Sequence, residues 1–272
     1  MNSILKKIAL ITGGNSGIGA ATAKVFAKNG YKVIITGRRK EKLNAVKAKL
    51  EAKYALEVKV MAFDIRDFNE TQNAFKSLSS PWNKVDVLVN NAGLAAGYSS
   101  IESGDMDDWN RMIDTNIKGL LSITRLVSES MVKRGHGDII NVGSTSGSQI
   151  YPNGNVYCAT KAAVNMLTQG MRIDLFKKGV RVSEVNPAHV ETEFAMVRYN
   201  GDAQKASIYD DFTPLRAKDV AKTIFFIASA PRHVTIQNVV IAGTQQAGAN
   251  FIDRSGKKYV DQKIQEERSS SS

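Results

Sequence analysis

Cysteine is almost absent from this 272-residue chain. Cys158 is the only one, so an internal disulfide or a thiolate zinc cluster is excluded and nothing argues for secretion. Histidine is scarce too: His136, His189 and His233 stand far apart without metal-ligand spacing, and no metal is expected. Long hydrophobic runs are missing; none approaches the roughly 20 residues that span a bilayer. Residues 1–10 contain Lys6 and Lys7 and run straight into a glycine-rich turn, unlike a signal peptide. With five prolines in the whole chain, no proline-rich linker divides it. These absences point to a soluble cytoplasmic protein.

What is present is ample core material, 43% hydrophobic residues, and an excess of positive charge, 37 basic against 26 acidic side chains for a net +11. The charge is mostly dispersed and few aromatics accompany it. Its two concentrations, residues 38–49 and 254–268, read as a solvated helix face and a solvated tail, except at the start of the first. No nucleic-acid or membrane partner is expected, whereas small anions would be drawn in.

Short β-branched runs alternate with helical patterns. Residues 7–11, 32–36, 57–62, 85–90, 138–142, 180–186 and 238–241 read as strands. Between them, 18–29, 40–52, 67–78, 106–134, 155–177 and 218–229 read as helices. This alternation predicts an α/β fold: a Rossmann-type, doubly wound parallel sheet of about seven strands between two helical layers. One domain is expected over residues 1–252, followed by a polar, charged tail over 253–272.

Gly13, Gly14, Gly17 and Gly19 interrupt the chain between the first strand and first helix, with Asn15, Ser16 and Ile18 among them. A turn poor in side chains lets a pyrophosphate approach the backbone, and the helix N-terminus supplies N–H donors. A site for NAD usually has a carboxylate at the end of the second strand. Here Arg38 and Arg39 follow Thr36 and Gly37. Guanidinium groups suit a phosphate, so the pair is read as the grip on the 2′-phosphate of NADP(H). Asp64 and Ile65 follow the third strand, suited to the adenine. Asn91, Ala92 and Gly93 end the fourth, in the same crevice.

Tyr157 and Lys161 stand four apart at the start of a long helix, hence on one face. An ammonium about 4 Å from the phenol, at an effective dielectric of ~20, is worth roughly 4 kcal/mol. That would bring tyrosine about three units down from its ordinary ~10, into general acid/base range. Ser144 closes the fifth strand, placed to polarise a carbonyl. Asn116 sits mid-helix, where asparagine is a poor helix former.

The set Thr12–Gly19, Asn91-Ala92-Gly93, Asn116, Ser144 and Tyr157/Lys161 resembles the short-chain dehydrogenase/reductase family over roughly residues 5–245. Thr36–Arg39, residues 112–116, 143–148, 154–157 and 192–198 resemble its NADP-dependent 3-hydroxy acid (serine) dehydrogenase branch. The resemblance implies Tyr157 as acid/base, Lys161 as its modifier and a ribose ligand, Ser144 orienting the carbonyl and Asn116 holding a relay water. It implies that Pro187, Val190 and Thr192 belong to the nicotinamide loop, where Ala188 replaces the usual glycine and His189 follows.

Arg198 is read as the anchor for a substrate carboxylate and Gln149 as a further hydrogen-bonding group. The expected reaction is hydride transfer between NADP(H) and a short 3-hydroxy acid such as serine or allo-threonine, or its oxo form. A broad carbonyl or ketoacyl reductase and a non-catalytic NADPH sensor are the rival readings. A nucleic-acid or anionic-membrane binder rests on net charge alone. Apolar excess on the helices at 106–134 and 155–177, with the family resemblance, suggests a homo-oligomer, tetramer before dimer. His136 reads as a turn residue and Cys158 as a buried small side chain.

Overall fold

The computed structural model describes residues 6–199, 201–256 and 258–259. In chain order, β1 (Ile8–Thr12), α1 (Gly17–Lys28), β2 (Lys32–Gly37), α2 (Lys40–Tyr54), β3 (Val58–Ala62), α3 (Phe68–Lys76) and β4 (Val87–Asn90) form the first half. Then come α4 (Met106–Ile113), a π-helical turn (Asp114–Gly119), α5 (Leu120–Arg134), β5 (Gly137–Val142), α6 (Asn155–Leu175) and β6 (Val180–Pro187). The remainder is β7 (Val190–Glu191), α7 (Phe194–Arg198), α8 (Ala203–Ala206), β8 (Leu215–Arg216), α9 (Ala217–Ser229), β9 (Asn238–Ile241), β10 (Gln246–Gly248) and β11 (Phe251–Ile252).

Seven strands pair in the order β3-β2-β1-β4-β5-β6-β9, every pair parallel. A parallel sheet needs both faces covered, and the strand composition fits. All of Ile8–Thr12 and all of Val87–Asn90 are buried. One core gathers Phe26, Leu43, Ile35, Val185 and Ile224 on the side of α1, α2 and α9. The other gathers Leu10, Leu88, Ile123, Met131 and Ile139 on the side of α5 and α6. The expected three-layer architecture and all seven strands are therefore present.

Local chemistry fixes the helix ends. Asp67 and Asp105 cap α3 and α4 by accepting backbone N–H bonds, and Gly135 ends α5 at φ 70°. The helix expected as one piece over 106–134 contains the π turn, an insertion that leaves apolar spacing on either side almost undisturbed. The short elements α7, α8, β7, β8, β10 and β11 were not expected; they close over the carboxyl ends of the strands. The chain order reverses between β1 and β4, which opens the crevice where ligands bind in such sheets.

Of the expected tail, residues 257 and 260–272 lie outside the described residues. Those described after Asp253 lie against the body: Arg254 Nη1 pairs with Asp211 Oδ1 at 2.7 Å, Lys258 Nζ donates to the Phe212 carbonyl at 2.6 Å, and Tyr259 N donates to Thr213 Oγ1 at 2.8 Å. The Arg254 guanidinium also covers the Phe212 ring.

Candidate active site

A cavity of about 630 Å³ runs along the carboxyl edge of the sheet, a size typical of small-ligand sites. Every residue expected at the site lines it except Gly19, Asn116 and Gln149. These three have structural work instead. A Cβ on Gly19 would overlap the Gly13 carbonyl oxygen, so glycine lets the first helix pack on its own turn. Gln149 is exposed and its Oε1 accepts from the Ala249 N–H at 2.7 Å. The turn after Ser144 aims it at the C-terminal hairpin.

Asn116 is 2% exposed and its amide is fully engaged. Oδ1 accepts from Leu94 N at 2.9 Å, while Nδ2 donates to Leu94 O at 2.9 Å and Thr160 Oγ1 at 3.0 Å. The side chain clamps the loop after β4 to α6 one residue before Lys161. The π turn is what brings it there.

At the glycine turn, Gly13 takes φ +66°, and a Cβ there would sit 3.0 Å from Asn91 Nδ2. Thr12 joins the ends of β1 and β4: its Oγ1 accepts from Asn91 N at 2.9 Å and Ala92 N at 2.8 Å. Asn91 Nδ2 returns a bond to Thr12 O at 2.8 Å. Thr12 lay inside the motif but was not singled out; a hydroxyl at a strand end, opposite a second turn, is the signal that finds it.

Beyond β2, Arg39 Nη2 donates to Ser16 Oγ at 3.1 Å, and Arg38 lies 4.0 Å from Asp64. Burial pushes the Asp64 carboxyl up, but hydrogen bonds and charge from Arg66 outweigh it and the net shift is down. The cradle fits an adenosine carrying a phosphate on its ribose: a turn with no side chains in the way, then Arg38, Arg39 and Lys42 at the strand end.

At the other end, Ser144 N donates to Asn186 Oδ1 at 2.8 Å, and Ser144 Oγ accepts from Ser146 N at 3.1 Å. Lys161 Nζ donates to the Val142 carbonyl at 2.9 Å and lies 6.0 Å from the Tyr157 ring centroid. Tyr157 is 8% exposed. Its phenol is shifted upward, first by burial and then by Tyr151, with Ser144 and Arg198 opposing. Burial thus opposes the lowering expected from Lys161. The ammonium is itself buried and pushed down to about 8, with Glu184 opposing.

Glu184, on β6, was missed by sequence reading because a charged residue in a strand with Arg181, Ser183 and Asn186 gives no sign of burial. It is 1% exposed, accepts from Asn165 Nδ2 at 2.6 Å through Oε2, and has Oε1 unpaired. Burial raises its carboxyl.

Arg198 ends α7 inside a cage of rings. Its guanidinium carbon lies 5.0 Å from the centroid of Tyr98, 5.1 Å from Tyr151, 5.8 Å from Tyr199 and 5.9 Å from Tyr157. Its Nε is buried with no hydrogen-bond partner, which is costly unless the cavity supplies an acceptor. Tyr98, Tyr151 and Tyr199 were not foreseen; single tyrosines in loops carry no periodic signal.

Pro187, Val190 and Thr192 line the same cavity. Ala188 N donates to Ile241 O at 2.8 Å, and Ala188 is not among the positive-φ residues, so alanine fits without strain. His189 faces Tyr209 and Phe212, and burial lowers its imidazole. Cys158 is buried, its thiol pushed up by burial.

The chain is similar to known proteins. Sulfoacetaldehyde reductase 2 of Chromohalobacter salexigens is 42% identical over 253 residues, 92% of this chain and 100% of its own. NADP-dependent 3-hydroxy acid dehydrogenase YdfG of Salmonella typhi is 42% identical over 246 residues, 90% of this chain and 98% of its own. A closed form of serine dehydrogenase complexed with NADP+ superposes with a TM-score of 0.85 at 39% identity, covering 89% of this chain and 97% of that one. Residues 7–203, which carry both the glycine turn and the Tyr157/Lys161 pair, match the short chain dehydrogenase family, and the chain belongs to it.

Proposed function

We propose that the protein is an NADP-dependent oxidoreductase that interconverts a short 3-hydroxy acid and its 3-oxo acid. The observation that carries this reading is one continuous cavity with Arg38 and Arg39 at one end and Tyr157, Ser144 and Arg198 at the other. Relatives named for NADP and for 3-hydroxy acids support it. Bound along that cavity, the nicotinamide cofactor would supply or accept the hydride. The chain's own residues do the rest. Tyr157 exchanges the proton of the substrate oxygen, Ser144 donates to that oxygen, and Lys161, held by the Val142 carbonyl, keeps positive charge behind the phenol. Arg198 takes the substrate's anionic group, and its tyrosine cage holds water away from the pair. Pro187, Val190 and Thr192 shape the nicotinamide end.

Nicotinamide absorbance followed with NADP against serine, 3-hydroxypropionate and neutral alcohols tests the reading. The expected result is turnover of the acids. Arg198→Met is expected to raise KM for the acids by roughly 10- to 100-fold, the worth of a charge-assisted pair, and to leave any neutral alcohol unchanged. Equal effects on both classes would remove Arg198 as anchor. A second reading, a short aldehyde bearing a sulfonate, rests on the same cage and on the sulfoacetaldehyde reductase relative. Preference for 2-hydroxyethanesulfonate over the carboxylic acids would select it.

Assembly into a tetramer belongs to the same proposal. Met166, Ile173 and Phe176 are 65%, 71% and 61% exposed along and beyond α6, while Phe226 and Val240 are 62% and 63% exposed on α9 and β9. Two separate apolar faces suit the two kinds of interface in a dihedral tetramer. Sedimentation equilibrium is expected to give four times the 29.7 kDa chain mass; a monomer at micromolar concentration would refute it.

A further inference from the structure

Glu193 stands between the cofactor loop and α7, and its carboxylate bridges two cations from a distant part of the chain. Oε2 lies 3.0 Å from Arg39 Nη2 and Oε1 lies 2.8 Å from Lys42 Nζ. The same Arg39 nitrogen donates to Ser16 Oγ at 3.1 Å, so the guanidinium spans the glycine turn and the glutamate. Glu193, Arg39 and Ser16 all line the cavity. Hydrogen bonds from Lys42 and Arg39 hold the Glu193 carboxyl below its ordinary range, keeping it ionised.

An anion that gives one oxygen to a guanidinium and another to an ammonium occupies the geometry a phosphate monoester would use. Carboxylate and phosphate cannot share that position, because two anions within a few ångströms oppose each other's charge. Resting on the reading that Arg38 and Arg39 take the ribose 2′-phosphate, we infer that Glu193 is an internal competitor for that phosphate. It clasps the start of α7 to the adenosine end of the site until the phosphate displaces it. Arg198 ends the same short helix, so displacement at Glu193 is felt where the substrate's anion binds. An unphosphorylated adenosine leaves the clasp shut. The clasp thus makes cofactor choice and placement of the substrate anchor one event, with Glu193 as a specificity-determining residue that touches neither reacting atom.

The test uses the purified full chain and two ligands that lack the nicotinamide, adenosine 2′,5′-bisphosphate and 5′-AMP, titrated calorimetrically. Both partners of the clasp are about half exposed, and exposed pairs are individually weak. Removing the two together with Glu193→Gln is expected to tighten bisphosphate binding by about 3- to 10-fold and leave 5′-AMP unchanged. Amide exchange over residues 193–199 is expected to quicken when the bisphosphate is added to wild type, and to be fast already in Glu193→Gln. Unchanged or weaker bisphosphate binding by Glu193→Gln, while replacing Arg38 and Arg39 still abolishes the preference over 5′-AMP, overturns the clasp and leaves the phosphate reading intact. Exchange that ignores the bisphosphate also overturns it. Equal wild-type affinity for the two ligands, untouched by the arginine replacements, overturns the phosphate reading and the clasp with it.

Discussion

Tyr157→Phe is expected to lower turnover by at least about 10³-fold, at the upper part of what a positioned acid or base contributes, while NADPH binding stays nearly intact. The substitution removes the hydroxyl and keeps the ring. Its packing survives, because Phe194 meets the ring at 5.8 Å and Leu94, Ala95 and Met112 surround it in the same small core. What disappears is the proton that a carbonyl oxygen must receive during reduction. Burial shifts the phenol's pKa upward, which makes it a proton holder at neutral pH. In the oxidative direction the Lys161 ammonium behind it, still mostly charged below about 8, favours the phenolate. One lost hydrogen bond to the ribose would cost about 1 kcal/mol of cofactor affinity. Stopped turnover with retained NADPH fluorescence titration is the expected pair of results. Turnover within tenfold of wild type would take Tyr157 out of the acid/base role.

Replacing Arg38 and Arg39 together by alanine is expected to weaken NADPH by roughly 100-fold or more, since hydrogen bonds to a charged partner contribute about 1.5–3 kcal/mol each. NADH, without the phosphate, should lose little. Neither arginine belongs to the core: Arg38 faces solvent beside Asp64, and Arg39 reaches Ser16 and Glu193. The fold should therefore survive, and unchanged thermal midpoints would confirm that affinity alone has moved. Equal weakening of both cofactors would mean that the arginines hold the glycine turn rather than a phosphate.

The seven strands were legible because each is a short β-branched run bounded by polar residues, and the long helices because apolar positions recur on one face. Tyr157 and Lys161 could be paired from their spacing alone, and Arg38 from the missing acid after β2. Other features depend on where distant segments meet. Glu193 and Arg39 lie 154 residues apart, and no local pattern joins them. Glu184 looked like any charged residue until β6 was found between β5 and β9, with the side chain buried. The spacing of Tyr157 and Lys161 shows the nearby cation but not the burial that acts against it. Asn116 stood out as a poor helix former in mid-helix and Gln149 by its closeness to Ser144, but the partners of their amides, Leu94 and Thr160 for one and Ala249 for the other, lie too far along the chain to be read locally. Elements of two to five residues over the crevice carry no period and could not be seen.

The π-helical turn at Asp114–Gly119 also imposes a counting rule on descendants of this sequence. At 3.6 residues per turn, one residue more or fewer rotates everything beyond it by about 100°. A regular helix through this stretch would be free to lose a residue only by turning α4 against α5, or by swinging Asn116 away from Leu94 and Thr160. Here the extra residue is already absorbed in one wide turn, with regular helix on both sides. Length changes are therefore tolerable in the loops at either end of this helical segment, but within it the number of residues is as much a part of the site as their identity.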